Sequence, residues 1–258
     1  MRYNISMNEV ITVNKPGGLT PLQAIERFKQ KFPLYQNEKI SYAGRLDPMA
    51  SGLLVLLVGD KNKNRNEFEG LKKTYEFELL LGIETDTYDG LGIISHVYNS
   101  PTDYLTQVAK LLPLFIGVQD QPYPPYSAMH VAGKPLYYWA REGKLDEIQI
   151  PTKTITIDSL TIKQASEVSS SILSKRIIKV IGGVQGDFRQ SNIIGLWEKF
   201  SMDHRNFPLI SCTANVSSGT YIRSLAHEVG KRLGTGAIAY SIHRTKVGNH
   251  HLKDALEL

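Results

Sequence analysis

Three segments of this 258-residue chain carry residues whose types and spacing could do chemistry. In the first, Tyr42-Ala43-Gly44-Arg45-Leu46-Asp47-Pro48-Met49-Ala50-Ser51-Gly52, an aspartate stands in a loop just before an apolar run. A carboxylate on a loop packed against a buried strand sits at a site wall, held by a rigid element. The alternative is that Asp47-Pro48 only begins a turn. The second segment is Lys72-Lys73-Thr74-Tyr75. Tyr75 falls on the apolar face of its strand, where an aromatic can serve the core while its hydroxyl finds a partner. The third, Ser217-Ser218-Gly219-Thr220-Tyr221-Ile222-Arg223, joins a strand to a helix. Arg223 follows Ile222 and so points away from the helix's apolar stripe. Its charge opposes the helix dipole, and a carboxylate partner would explain its place there.

Other chemistries lack their signatures. No Ser/His/Asp hydrolase pattern is present, and Val58-Gly59-Asp60-Lys61 lacks the spacing of a phosphate-binding loop. His243, His250 and His251 lie near the C-terminal end without HExxH spacing, and read as surface or RNA-facing rather than metal ligands. The single cysteine, Cys212, excludes an internal disulfide and the paired-cysteine zinc pattern, and a reducing cytoplasm suits it. No metal or cofactor is expected. The first residues, Met1 to Ser6, contain no apolar stretch of the kind a secretory signal needs. The longest clearly apolar run, residues 53–58, is far short of the roughly 20 residues of a membrane span. Apolar residues make up 41% and charged residues 21%, which is too apolar for a disordered chain. The net charge of +5 permits an acidic partner such as RNA without demanding one.

The elements that must position these residues follow from periodicity. Ile11-Thr12-Val13 reads as a strand ending in the Asn14–Gly18 turn cluster. Thr20 and Gln23 fit a capping box with Pro21 at the first helical position. Leu22, Ile25, Phe28 and Phe32 then give one apolar face, and Pro33 stops the helix. Residues 53–58, without alternation, predict a strand buried on both faces. Tyr75, Phe77, Leu79 and Leu81 alternate with Glu76 and Glu78 in a strand with one wet face. Residues 85–90 form an acidic turn and 105–114 a short helix. The proline-rich stretch 121–126 predicts an aromatic loop. Ile155, Ile157, Leu160 and Ile162 suggest a strand, as do Ile177, Ile178, Val180 and Ile181. A short helix is expected over 191–200, an alternating strand at Ile210, Cys212, Ala214 and Val216, and a helix from about Tyr221 to its stop at Gly234. This irregular mixture predicts an α+β fold with a mixed sheet.

Taken together, the segments resemble the bacterial tRNA pseudouridine synthases that modify the T-loop uridine, the TruB-type family. The likeness runs in order along nearly the whole chain. Val13-Asn14-Lys15-Pro16-Gly17-Gly18 is similar to the N-terminal KPxG motif, and Gly44 to Leu54 to the G-x-LDP-x-A-x-G-x-L motif. Lys73-Thr74-Tyr75 with Leu81 to Asp89 is similar to the K-x-Y and LG-x-x-TDT-x-D pair. Gln121 to Tyr137 resembles an RNA-clasping insertion, Ser218 to Leu225 the GTYIR motif, and His243-Arg244-Thr245 an LRRT-like segment.

The resemblance implies a pseudouridine synthase fold, with a mostly antiparallel mixed sheet flanked by helices and loops. It implies one catalytic domain over 1–258, an insertion at about 120–150, and no C-terminal RNA-binding (PUA) domain. The implied activity is isomerisation of the uridine at tRNA position 55, on the T-arm, by a cytoplasmic monomer. Asp47 would form the covalent adduct, on ring or sugar. Tyr75 would stack on the flipped base and help move the C5 proton. Arg223 would pair with Asp47, Tyr221 and Ile242 would line the base pocket, and Lys15 with Pro16 would buttress the loop.

The residue types suit that chemistry. A uridine must leave its stack to be reached, and a carboxylate can act as a covalent nucleophile. Two departures stand out. Tyr42 and Ala43 occupy the place of the family's usual His-Thr pair, so Tyr42 would be the wedge. The stretch 182–207 matches no family motif. Two other readings remain open from sequence: a ribosomal-RNA pseudouridine synthase, through Arg45-Leu46-Asp47, and a non-catalytic tRNA-binding or folding protein.

Overall fold

The computed structural model describes residues 8–99 and 102–258; the N-terminal segment Met1 to Ser6 lies outside them. Among the described residues, one ten-stranded sheet organises the molecule. Its strands in chain order are β1 (Val10–Lys15), β2 (Ile40–Ala43), β3 (Ser51–Val58) and β4 (Lys73–Leu81). A separate two-stranded pair, β5 (Ile83–Thr85) and β6 (Ile94–Val97), flanks the acidic turn. Then follow β7 (Gly117–Pro122), a small hairpin of β8 (His130–Val131) and β9 (Lys134–Pro135), and the long β10 (Thr152–Ser169). The chain closes with β11 (Asn206–Val216), β12 (Ala237–Val247), β13 (His250–His251) and β14 (Leu256–Glu257). The main sheet runs β14-β1-β3-β12-β4-β11-β10-β7, with β2 on β3 and β13 on β12. Among the described strands, β1–β14 and β12–β3 pair in parallel and the others antiparallel. The fold is therefore the expected α+β arrangement with a mostly antiparallel sheet.

Helices cover both faces. α1 (Pro21–Lys31) begins at the expected capping box: Gln23 N donates to Thr20 Oγ1 at 3.3 Å, and Thr20 N donates to Gln23 Oε1 at 2.8 Å. Such a cap contributes about 1 kcal/mol. α2 (Arg65–Glu69), α3 (Tyr104–Leu111) and α4 (Leu136–Arg141) are short. α5 (Ser170–Gly183) and α6 (Gln190–Ser201) pack against each other on one face, and α7 (Ile222–Leu233) lies on the other with α1 and α3. Strand β3 is buried on both faces as predicted, with Leu53 through Val58 out of water. Each such leucine contributes about 1.5–3 kcal/mol. One side of it meets Ile11, Ile25 and Phe28; the other meets Phe68, Leu71 and Leu252.

Four expectations need correction. Residues 177–181 are not a strand but the end of α5. The apolar spacing begins upstream at Leu173 and continues at Ile177 and Ile181, every fourth residue, and burial of that face overrides the β-branched preference. The 121–126 stretch is not wholly loop: Gln121 and Pro122 finish β7, pairing with Lys153 and Thr152. β7 is the sheet edge, so the N–H that proline lacks costs no ladder bond. Leu22 does not join the core stripe of α1; it is exposed, and Ala24 is buried with Ile25 and Phe28 instead. His243 is not simply a surface residue. It is half-buried, with Nδ1 2.8 Å from Ser51 Oγ across the β12–β3 pairing.

Candidate active site

The parallel pairing of β12 with β3 sets Arg244 opposite Gly52. A Cβ at Gly52 would lie 2.3 Å from the Arg244 carbonyl oxygen, and its φ is +100°, so only glycine fits. The Arg244 side chain is buried and turns back on the loop that precedes β3. Its Nε donates to Leu53 O at 2.8 Å and its Nη2 to Gly44 O at 2.9 Å. The Asp47 loop is thus clamped at its start. Its middle is held by Gly18 N donating to Pro48 O at 2.7 Å and by Ala50 N donating to Asp47 O at 3.0 Å.

Lys15 supports the neighbouring loop from below. It is fully buried, and its Nζ donates to Pro16 O at 2.9 Å and Leu19 O at 2.7 Å. Burial pulls its pKa down to about 7, with Asp47 acting against that shift and Arg244 reinforcing it. Lys15 lines neither of the cavities described below. Its Nζ is spent on the backbone carbonyls of the loop that it was expected to buttress.

Arg223 meets the carboxylate that its position asks for. It faces away from the apolar stripe of α7, yet only 3% of its side chain is exposed, because the Asp47 loop, the 85–90 turn and the 121–129 segment close over it. Nε donates to Asp47 Oδ2 at 2.7 Å, Nη1 to Thr87 O at 2.9 Å and Nη2 to Tyr126 O at 3.3 Å. A second carboxylate, Asp89, lies 3.7 Å from Nε. Burial works against the guanidinium's charge, but Asp47 and Asp89 outweigh it and raise its pKa. Asp89 itself accepts from Thr87 Oγ1 at 2.6 Å and Leu91 N at 2.9 Å. Its burial pushes its pKa up to about 6 despite Arg223.

The side chains brought together around Asp47 form a cavity of about 400 Å³ lined by Tyr75, Tyr221, Ile222, Ile242 and Lys73. Tyr75 and Ile242 come from the paired strands β4 and β12 and point to one face. Tyr221 caps α7 and is held by Gln121, which accepts from Tyr221 N at 2.7 Å and donates to Tyr221 O at 3.1 Å. Burial, with Asp47 adding to it, pushes the Tyr221 phenol up to about 12. Lys73 is also buried, its Nζ donating to Glu69 O, and burial followed by Arg244 pulls its pKa down to about 8. Tyr42 does not join this cavity. It faces an adjoining one that shares Arg45, Leu46, Asp47 and Tyr221, and the Arg65 guanidinium lies 5.4 Å from its ring centroid.

The arrangement presents one partly exposed carboxylate, an aromatic and an aliphatic face for a planar ring, and a buried cation that fixes the carboxylate. Sequence reasoning assigned no separate role to Asp89, Arg244 or Lys73 beyond their places in motifs. The signal for Asp89 was available: it closes the Thr85-Asp86-Thr87-Tyr88-Asp89 motif, and a buried Arg223 calls for more than one half-exposed counter-ion.

Among the described residues no helix is long and apolar enough to cross a membrane. A crystal structure of a Cbf5–Nop10–Gar1 complex shares the fold over 96% of this chain and 52% of that one, at 19% identity and a TM-score of 0.57. The tRNA pseudouridine synthase B of Clostridium kluyveri is 31% identical over 255 residues, spanning 98% of this chain and 71% of the relative. That of Aquifex aeolicus is 29% identical over 252 residues, 98% of this chain and 72% of the relative. The pattern of the TruB family pseudouridylate synthase (N terminal domain) covers residues 31–178, which take in Asp47, Tyr75 and Asp89. On these sequence matches the chain belongs to the TruB family of pseudouridylate synthases, and it is an isomerase.

Proposed function

We propose that this enzyme converts the T-loop uridine at tRNA position 55 to pseudouridine, with Asp47 as the nucleophile. The observation that carries the reading is the Arg223–Asp47 contact of 2.7 Å at the wall of a cavity lined by Tyr75, Tyr221 and Ile242. Only the carboxylate of this pair reaches the cavity: Asp47 is 27% exposed and Arg223 is 3% exposed. The relatives named tRNA pseudouridine synthase B supply the substrate class.

The target uridine leaves its stack and enters between Tyr75 and Ile242. Asp47 bonds covalently to the nucleotide while the N1–C1′ bond breaks. The base turns, C5 bonds to C1′, the C5 proton is lost to a base with the help of the Tyr75 hydroxyl, and N1 takes up a proton. The carboxylate is then released unchanged. Atoms balance without any co-reactant, because product and substrate are isomers. Arg223 holds Asp47 in one position through the sequence of bonds, and the fixed donor requires no reorganisation.

The test is incubation with an unmodified tRNA transcript, followed by mapping of pseudouridine. A single modified site at position 55, lost in Asp47→Asn, is expected. Modification at another uridine, or retention of product in Asp47→Asn, would overturn the reading.

A further inference from the structure

Arg223 holds Asp47, and the acidic turn between β5 and β6 in turn holds Arg223. Two groups of that turn reach the guanidinium. The Thr87 carbonyl accepts from Nη1 at 2.9 Å, and the Asp89 carboxylate lies 3.7 Å from Nε. Tyr88 stands between them. Its ring stacks on the imidazole of His227, with centroids 3.8 Å apart and planes 6° from parallel. We propose that His227 is a positioning residue for the isomerisation: its stack holds Tyr88 in a strained backbone conformation, and so fixes the Thr87 carbonyl and the Asp89 carboxylate about Arg223, and through Arg223 the Asp47 carboxylate. The inference rests on the reading that Asp47 is the nucleophile.

The first support is the strain. Tyr88 has a left-handed backbone, φ 63°, which suits glycine and costs energy in a residue with a Cβ. Rotation about that φ turns the rigid peptide plane that carries the Thr87 carbonyl. Relaxation of Tyr88 would therefore aim this carbonyl away from Arg223. Backbone hydrogen bonds brace the turn, with Tyr88 N donating to Thr85 O at 3.2 Å and Ala239 N donating to Tyr88 O at 3.0 Å. Neither acts on the ring, and glycine would make both at less cost. A tyrosine here is explained by what its ring meets.

The second support is where the stack sits. His227 follows Arg223 by four residues on α7, so the two share one face of the helix, a turn apart. One helix thus grips the acidic turn twice, Arg223 through a carbonyl and a carboxylate and His227 through the ring between them. Tyr88 and His227 are both half-buried, and neither belongs to the apolar clusters of the core. Neither lines the Asp47 cavity or the adjoining one. The stack is therefore neither core packing nor a substrate contact.

The third support is that the imidazole is not placed by its Nδ1. That atom is buried and has no hydrogen-bond partner among the described residues. A ring positioned for a polar role there would have it paired. Burial lowers the His227 pKa, with Glu84 and Glu228 acting against that shift. The ring that meets Tyr88 at neutral pH is thus uncharged, and its flat face is what it offers.

The test measures kcat and KM on an unmodified tRNA transcript and, separately, the Nε–Hε resonance of Arg223 by NMR of the free protein. In His227→Ala, kcat should fall about tenfold while KM stays within about twofold, because the ring touches no substrate. His227→Phe keeps a flat face and should recover kcat to within about threefold of wild type. His227→Leu has bulk without that face; it should behave as His227→Ala and replaces it should that variant fail to fold. Tyr88→Gly takes the left-handed backbone without a ring. Adding His227→Ala to Tyr88→Gly should therefore cost less than about twofold in kcat. The Arg223 resonance should shift in His227→Ala and return in His227→Phe. An unchanged kcat in both His227→Ala and His227→Leu, an equal loss in the Tyr88→Gly background, or a rise in KM that matches the loss in kcat would overturn the positioning role. A wild type that forms no pseudouridine would defeat the functional reading instead. The resonance alone would then decide, and one that does not move in His227→Ala would show that the stack does not fix Arg223.

Discussion

Arg223 faces two carboxylates whose surroundings differ in almost every respect. Asp47 sits on the open loop before β3, 27% exposed, and makes the short contact of 2.7 Å. Asp89 sits in the acidic turn after β5, 7% exposed, 3.7 Å away, and is satisfied by Thr87 and the Leu91 amide. One carboxylate is accessible and lightly held; the other is buried and accepts two hydrogen bonds on one oxygen. The contrast divides the labour. Asp47 is free to meet a substrate, while Asp89 keeps a buried guanidinium company whether or not substrate is present. A lone guanidinium buried against one half-exposed acid would be poorly compensated. The second acid lets Arg223 stay charged and fixed when Asp47 is engaged elsewhere.

The comparison can be broken most severely at the accessible acid. Asp47→Asn keeps the shape and removes the proposed nucleophile, and the expected loss of kcat is on the order of 10⁴-fold or more. tRNA affinity should stay within a few-fold, as checked by filter binding beside a pseudouridine-release assay. Removing the shared cation comes next. Arg223→Ala leaves Asp89 buried without its counter-charge, which should lower stability by about 3–5 kcal/mol in urea unfolding, and turnover should fall with it.

On the Asp47 side alone, Tyr75→Leu should weaken substrate binding through lost stacking, worth roughly 1–3 kcal/mol. Tyr75→Phe should bind normally and turn over slowly. Equal rates for Tyr75→Phe and wild type would assign the residue to the core only.

The smallest expected effect belongs to the buried acid and sharpens the contrast by its pH dependence. Burial raises the Asp89 pKa to about 6 in the folded chain, whereas an unfolded aspartate titrates near 4. Between those values the folded state holds the proton more firmly. The stability this residue contributes is therefore full below about pH 4 and declines as pH rises through about 6. Asp89→Asn should remove that decline. Urea midpoints measured from pH 4 to 7 would show a wild-type slope that the variant lacks, and parallel curves would count against it.

Much of this was legible in the residues themselves. The capping box at Thr20, the doubly buried strand at 53–58, the alternation at Tyr75–Leu81 and the helix from Ile222 to its Gly234 stop depend on local spacing, and local spacing is written in the chain. Asp47, Tyr75, Tyr221 and Ile242 were likewise named from motifs, and they share one cavity. What the chain order hid were arrangements made by packing between distant segments. Whether the β-branched run 177–181 is strand or helix depends on which face finds a core. The burial of Arg223 and Arg244 depends on partners far off in the chain, such as Thr87 O, 136 residues from Arg223, and Gly44 O, 200 residues from Arg244. The left-handed Tyr88 and its stack on His227 are of the same kind. Periodicity and motif fix which residues an element offers to the interior. Only the closed tertiary structure decides which charges meet there, because the cost of burying each one is offset by a group the local sequence does not contain.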